Sequence, residues 1–394
     1  MRTAVVVGGG IGGLGAAIAL RRAGWHVTVL ERSPKPAEIG AGLTLMANGQ
    51  RALRALGLAE VVHADARPQG GGGIRDPRGR WIARVDGAYL ARTVGTAIIG
   101  IHRESLHRLL REALPPGAVV PGARVTDVVP GPPASVTYRL DGATRTVGAD
   151  LVVAADGIRS FVRAALWPGH PGPRYTGTTA WRAVTRRPWT MDVAAMSTWG
   201  AGAEFGIVPL ADGRVYWFAA ARAPEGRRGT DELAEVRARF GGWHGPIPDL
   251  LAAARPEDVL RHDLYELARP LPPCRRGAVV LLGDAAHAMT PHLGQGAAQA
   301  LEDAVVLGAL CTGRDLEAAL SGYDRLRRRR TQAVAAASRW AGRLGPELRG
   351  APLVAARDAA LRALPALTLR QAARFTRWTP PREDGARPAP GPLM

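Results

Sequence analysis

Three short segments carry the residue types that handle phosphates and sugar hydroxyls. Gly8-Gly9-Gly10-Ile11-Gly12-Gly13 satisfies the spacing G-x-G-x-x-G through Gly8, Gly10 and Gly13. In such a turn the first glycine permits a tight bend, the second lets the backbone approach a pyrophosphate, and the third lets helix and strand pack closely. Glu31 follows Gly13 by 18 positions, where a carboxylate accepts hydrogen bonds from a ribose diol. The chemistry is dinucleotide binding, and this turn alone does not choose between FAD and NAD(P). Two further segments, Asp156-Gly157-Ile158-Arg159-Ser160 and Gly283-Asp284-Ala285-Ala286-His287, each place an aspartate after an apolar run. Such an aspartate either caps the following helix or serves a bound ligand.

Regular elements must hold these residues in place. Val5-Val6-Val7 is a β-branched run, Leu14 to Ala23 has helical spacing until Gly24, and His26 to Leu30 reads as a second buried strand, so the glycine turn lies inside a βαβ unit. Leu151 to Ala155 and Ala278 to Leu282 are further apolar strands, and Gly296 to Leu310 is a helix. Ala41 to Leu58 reads as a turn and an amphipathic helix, and 102–113 has Leu106, Leu109 and Leu110 at helix spacing. Gly70 to Gly73 is expected to be a flexible connection rather than a core element. Residues 74–100 read as short strands, and strand content rises again over 175–270, with Ala211-Asp212-Gly213 joining Glu204–Leu210 to Arg214–Ala220 as a hairpin. The remainder is helical and arginine-rich, and 379–394 is too rich in Pro, Gly and Ala to pack.

The order of motifs, with Glu31-Arg32 after the glycine turn and His102-Arg103 heading a helix before the two aspartate segments, resembles the FAD-dependent aromatic hydroxylases. These are the p-hydroxybenzoate hydroxylase-like single-component flavoprotein monooxygenases, and the likeness covers most of 1–345. It implies an α/β fold: a Rossmann-like FAD-binding domain with a parallel sheet, from 1–73, 101–174 and 272–378, plus a smaller mixed α+β substrate domain with a large β-sheet, from 74–100 and 175–271. It implies non-covalent FAD on Gly8, Gly10, Gly13 and Glu31, with Arg103 at the phosphates, Arg32 and Gly42 flanking the adenosine and Val125 at the adenine. Asp156 and Arg159 would bridge toward the nicotinamide approach, and Asp284 would accept from the ribityl hydroxyls. The loop Pro291 to Gly296, including Gly294, would pass close to the flavin ring, and the amides at Gly296 and Ala297 would open the next helix toward it. No second G-x-G-x-x-G is present, so NADH or NADPH is expected as a transient reductant. O₂ would then form a flavin hydroperoxide that hydroxylates an aromatic or polyketide-like small molecule. A related-fold FAD-dependent reductase or epoxidase is the alternative. No catalytic base is assigned.

Substrate-pocket candidates from the strand-rich region are Trp181, Arg182, Phe205 and Trp217, with His292 from the loop. Arg182 suits a carboxylate or phenolate, and core packing of the aromatic residues is an equal reading; His292 is preferred as a simple loop residue. His287 is expected to satisfy backbone groups near its turn. Two cysteines, Cys274 and Cys311, with no CxxC, exclude a disulfide framework or a zinc cluster, and no metal is expected. A reducing cytoplasmic setting follows, with no membrane partner and a monomer or homodimer. The formal charge of +18 suggests a polyanion, but with Lys35 the single lysine the basic residues are nearly all arginine, as compositional bias would give. Arg325 and Arg327 to Arg330 read as a solvated helix face rather than a nucleic-acid patch. A flavin-dependent halogenase is excluded, because the chain has no W-x-W and no pocket lysine.

Overall fold

A computed structural model of the chain describes residues 1–35, 41–191, 193–313, 315–364 and 374–381. Most of the predicted unpacked tail, 382–394, lies outside the described residues.

The β-branched run forms Thr3–Val7 at the centre of a six-stranded sheet. Its order is Arg275–Arg276, Val279–Leu281, Leu151–Ala154, Thr3–Val7, His26–Glu31 and Val119–Pro121, parallel except at the first pair. Val5 pairs with Val152 on one side and Thr28 on the other. All four residues of Leu151–Ala154 are buried, as a strand covered on both faces requires. The helices Ile11–Arg22 and Gly296–Leu310 pack together through small residues. A Cβ on Gly308 would stand 2.6 Å from that of Ala19, and one on Gly12 would meet Leu282 at 2.7 Å and Ala300 at 3.1 Å. Close approach of these two helices brings the N-terminus of each to the same edge of the sheet.

A seven-stranded sheet forms the second layer, in the order Leu260–Leu267, Pro173–Val184, Val215–Arg222, Ala203–Pro209, Ala195–Trp199, Gly71–Arg75 and Trp81–Asp86. The predicted hairpin is present, with Gly213 in the left-handed region (φ 79°) at its turn. The expected flexible glycine tract is instead an inner strand, Gly71–Arg75, hydrogen-bonded on both sides. Steric crowding explains the composition: a Cβ on Gly72 would lie 1.8 Å from the Ala195 oxygen, and one on Gly73 2.1 Å from the Ala83 oxygen. The 74–100 stretch also holds a helix, Gly87–Val94, which Asp86 caps through the amides of Ala88 and Tyr89.

One face of this sheet is covered by the helices Glu232–Phe240 and Ile247–Ala253, whose apolar residues form a separate core with Trp181, Phe205 and Trp217. The opposite face turns toward the parallel-sheet half. There Gly42 lies against Tyr216, so closely that a Cβ would come 2.6 Å from the tyrosine Cβ.

The arginine run lies on the long helix Leu316–Leu344 but is not a solvated face throughout. Arg327 is 2 % exposed and ion-paired with Glu302 and Asp303, and Arg330 also pairs with Glu302. Arg330 further donates to the Phe375 carbonyl (2.8 Å), while Arg51 donates to those of Thr376 (2.9 Å) and Trp378 (3.2 Å). These contacts fix the segment 374–378 across the buried ion cluster.

Candidate active site

The glycine turn adopts the geometry its spacing requires. Gly8 has φ 103°, and a Cβ there would lie 2.4 Å from the Ala155 oxygen; one on Gly13 would lie 1.9 Å from the Gly8 oxygen. Around Gly10, by contrast, a Cβ would meet no protein atom within 4 Å. Gly10 also caps the first helix without a side-chain bond, leaving first-turn amides directed at that open space. The Glu31 carboxylate accepts from the amides of Gly9 (2.6 Å) and Ser33 (2.7 Å), which fixes the turn while each oxygen retains a lone pair. His107, not anticipated from sequence, donates from Nε2 to the Gly9 carbonyl at 2.7 Å. Its position four residues after Arg103, on the helix Arg103–Glu112, was the available signal.

Asp156 Oδ2 accepts from the Val162 amide at 3.1 Å, while buried Oδ1 has no protein partner. Asp284 begins the short helix Asp284–His287 but does not cap it, and its exposed side chain makes no hydrogen bond or ion pair among the described residues. Arg103 and Arg32 are likewise exposed and unpaired among those residues. Arg159 stacks over Tyr265 at 5.1 Å. Val125 lies on Arg124–Val129, packed against the main core.

Gly294 has φ 60° and faces Thr44 and Met46, while Gly296 faces open space and opens a helix with no acidic residue in its first turn. Pro291 is exposed and Ala297 half-buried. Beneath this loop lies a polar cluster that sequence reading missed. Asn48 donates to Gln295 Oε1 (2.8 Å) and Glu302 Oε1 (2.7 Å), and Arg327 joins Glu302 to Asp303. Asp303 accepts from the Gly283 amide (2.9 Å) and from His287 Nε2 (2.6 Å), so His287 is engaged by a carboxylate rather than by backbone. Burial opposes ionisation of Asp303, but the charges and hydrogen bonds of His287 and Arg327 outweigh it and hold the carboxyl at about 2. Arg327 is raised despite its burial because Glu302 and Asp303 flank it.

The predicted aromatic pocket residues divide by strand alternation. Trp181, Phe205 and Trp217 are 0 % exposed on the helix-covered face, where Phe205 stacks on Trp217 at 5.5 Å and Trp181 Nε1 donates to Glu232 at 2.7 Å. They are core residues and line no cleft. Arg182 points to the opposite face, among Tyr216, Phe218 and His262, none of which sequence reading selected. Burial pushes the Tyr216 hydroxyl up and the His262 imidazole down, and both side chains feel the charges of Arg182 and Arg103. Arg182 itself has no hydrogen-bond or ion-pair partner among the described residues. Phe218 lies across Gly206, where a Cβ would come 2.0 Å from its ring. His292 is buried between Glu204 and Glu347 and faces no cleft.

Residues 1–338 match the family described as an FAD binding domain. This chain belongs to the FAD-dependent aromatic hydroxylases. The chain is 40 % identical over 351 residues to the aurachin C monooxygenase/isomerase of Stigmatella aurantiaca, covering 87 % of this chain and 89 % of that protein. It is 32 % identical over 333 residues to the FAD-dependent urate hydroxylase of Klebsiella pneumoniae, covering 82 % and 84 %. The solved structure of Klebsiella pneumoniae HpxO complexed with FAD and uric acid superposes with a TM-score of 0.88 at 28 % identity, over 95 % of this chain and 96 % of that one. The chain is therefore an FAD-dependent monooxygenase.

FAD fits the residues present. The unpartnered Asp156 oxygen, the free Asp284 carboxylate, the unpaired Arg103 guanidinium and two uncapped helix N-termini supply complementary groups for hydroxyls and phosphates along one edge of the parallel sheet. No helix among the described residues is long and apolar enough to cross a membrane.

Proposed function

We propose that this monooxygenase takes a planar aromatic small molecule with an acidic oxygen, seated between the Pro291–Gly296 loop and the large-sheet face that carries Arg182. One observation supports this reading above the others: Arg182 is a guanidinium unpaired among the described residues, on a face that it shares with Tyr216, Phe218, Val184, Val208 and His262. A guanidinium without a carboxylate beside an apolar wall suits a ring bearing a phenolate, enolate or carboxylate. Under this reading Gly8, Gly10, Gly13, Glu31, Arg103, Asp156 and Asp284 hold FAD, with Arg32, Gly42 and Val125 toward its adenosine and Gly294, Gly296 and Ala297 toward its ring. Bound FAD supplies the redox chemistry, taking electrons from NADH or NADPH and delivering one oxygen atom from O₂. The chain binds and orients the substrate and excludes water. The expected segments 1–73, 101–174 and 272–378 serve the cofactor and 74–100 with 175–271 the substrate, except that Gly71–Gly73 and Pro173–Arg174 are strands of the large sheet and go with the substrate part.

The test is NAD(P)H oxidation and O₂ uptake over a panel that includes aurachin C, urate, 3-amino-4-hydroxybenzoate, 6-hydroxynicotinate and simple phenols. At least one is expected to stimulate both and to return a product carrying one atom of labelled dioxygen. Uniform absence of stimulation overturns the hydroxylation reading. Stimulated NAD(P)H oxidation with no oxygen incorporated favours a reductase instead.

A further inference from the structure

His292 joins three parts of the chain that are remote in sequence. It sits in the single turn Pro291–Leu293 of the loop between Asp284 and the helix Gly296–Leu310. Its side chain is 5 % exposed. Nε2 lies 3.1 Å from Glu347 Oε1, just beyond the long helix, and Nδ1 lies 3.7 Å from Glu204 Oε2 on the large sheet. Glu204 is itself held in place by Ser197 Oγ and by Trp199 Nε1 at 3.2 Å. The long helix makes room for the ring with a glycine: a Cβ on Gly342 would stand 2.4 Å from the imidazole. The loop is also tied to that helix one step earlier, where Ser338 donates to the Thr290 carbonyl at 2.7 Å and accepts from the Thr290 hydroxyl at 3.0 Å.

We infer that His292 is a positioning residue, a charged pin that fixes the height of the Pro291–Gly296 loop against the large sheet and so sets how FAD is held. The argument is one of charge. Glu204, its side chain 12 % exposed, has only neutral hydrogen-bond donors, Ser197 and Trp199, so a neutral imidazole would leave its charge without a counterion. Burial would lower the imidazole, but the carboxylates of Glu204 and Glu347, the second hydrogen-bonded to Nε2 and the first an ion pair at 3.7 Å from an Nδ1 that has no hydrogen-bond partner, outweigh it and hold it at about 9. Glu204 is correspondingly lowered against its own desolvation. Other charged groups lie near the pin, and Arg349 is the one packed along Gly202, two residues from Glu204. Arg357 donates to the Gly345 carbonyl at 2.7 Å, pairs with Asp358 and stacks over Trp199, and Arg339 on the long helix pairs with Glu266. A folded-state value above the ordinary 6.5 means that the pin is fully present below about pH 6.5 and is lost as pH rises through about 9.

The test titrates FAD into the full-length protein by flavin fluorescence between about pH 6 and about pH 10, with no substrate or NAD(P)H present. In the wild type the dissociation constant is expected to hold steady near neutrality and to rise through about pH 9. His292→Asn should bind FAD about tenfold more weakly at neutral pH, and its dissociation constant should lose the alkaline inflection. Glu347→Gln should bind normally at low pH but move the inflection toward neutrality. Gly342→Ala keeps every charge while displacing the ring, and should weaken FAD as His292→Asn does; it stands in should that variant not fold. Wild-type affinity and an unchanged inflection in His292→Asn, or an inflection unmoved in Glu347→Gln, overturns the assignment. Absence of FAD binding in the wild type overturns the FAD assignment instead.

Discussion

At the residue scale, Gly8 and Gly13 are required by backbone crowding, since a Cβ would lie 2.4 Å from the Ala155 oxygen at the first and 1.9 Å from the Gly8 oxygen at the second. Gly10 differs: it faces open space, and its expected place beside a pyrophosphate comes from the G-x-G-x-x-G spacing rather than from crowding within the chain. Gly13→Ala is expected to remove FAD binding and lower the melting temperature, since its Cβ would stand 1.9 Å from the Gly8 oxygen; flavin content and thermal unfolding report both. Which face of the Pro173–Val184 strand is covered by helices depends on segments some fifty residues away, so strand alternation left Trp181 and Arg182 equally plausible as pocket residues. Arg182→Ala should weaken the substrate by roughly ten- to a hundredfold while FAD content stays constant. The measurement is the substrate-induced change in flavin absorbance, and equal affinity in variant and wild type removes Arg182 from the pocket.

At the scale of elements, the helix Gly296–Leu310 has the bounds its sequence pattern predicts, whereas the arginine run is not the solvated face its pattern suggests. Arginine at 327 looks solvent-facing until its buried partners, Glu302 and Asp303, are brought over from another helix. The glycine strand Gly71–Arg75 was missed for the same kind of reason, because its glycines answer to crowding by Ala195 and Ala83 rather than to local chain freedom. Arg327→Met leaves buried Glu302 with Arg330 alone and buried Asp303 with His287 alone, and should cost about 3 kcal/mol in urea unfolding. Asp303 adds a pH signature. Its carboxyl is depressed from 3.8 to about 2, so its contribution is present above about pH 3.8 and is lost as pH falls toward 2. That acid-side slope should flatten in Arg327→Met.

For the whole molecule, the +18 charge acts as a field rather than as a binding motif. It should draw the anionic nicotinamide reductant, so the second-order rate of flavin reduction is expected to fall as ionic strength rises from about 0.05 M to about 0.5 M. Stopped-flow reduction measures this, and a salt-independent rate removes the field from the account. The strand order of the parallel sheet carries a different consequence. Its central strand, Thr3–Val7, is made first, yet it is flanked by 151–154, and that strand in turn by 279–281. During synthesis the glycine turn therefore emerges hundreds of residues before the strands that bury its neighbours, and its open edges wait on the ribosome for the rest of the chain. A chain ended before residue 279 should leave Leu151–Ala154 as a bare apolar edge. It is expected to aggregate during translation and to bind no FAD, although it contains the entire G-x-G-x-x-G turn.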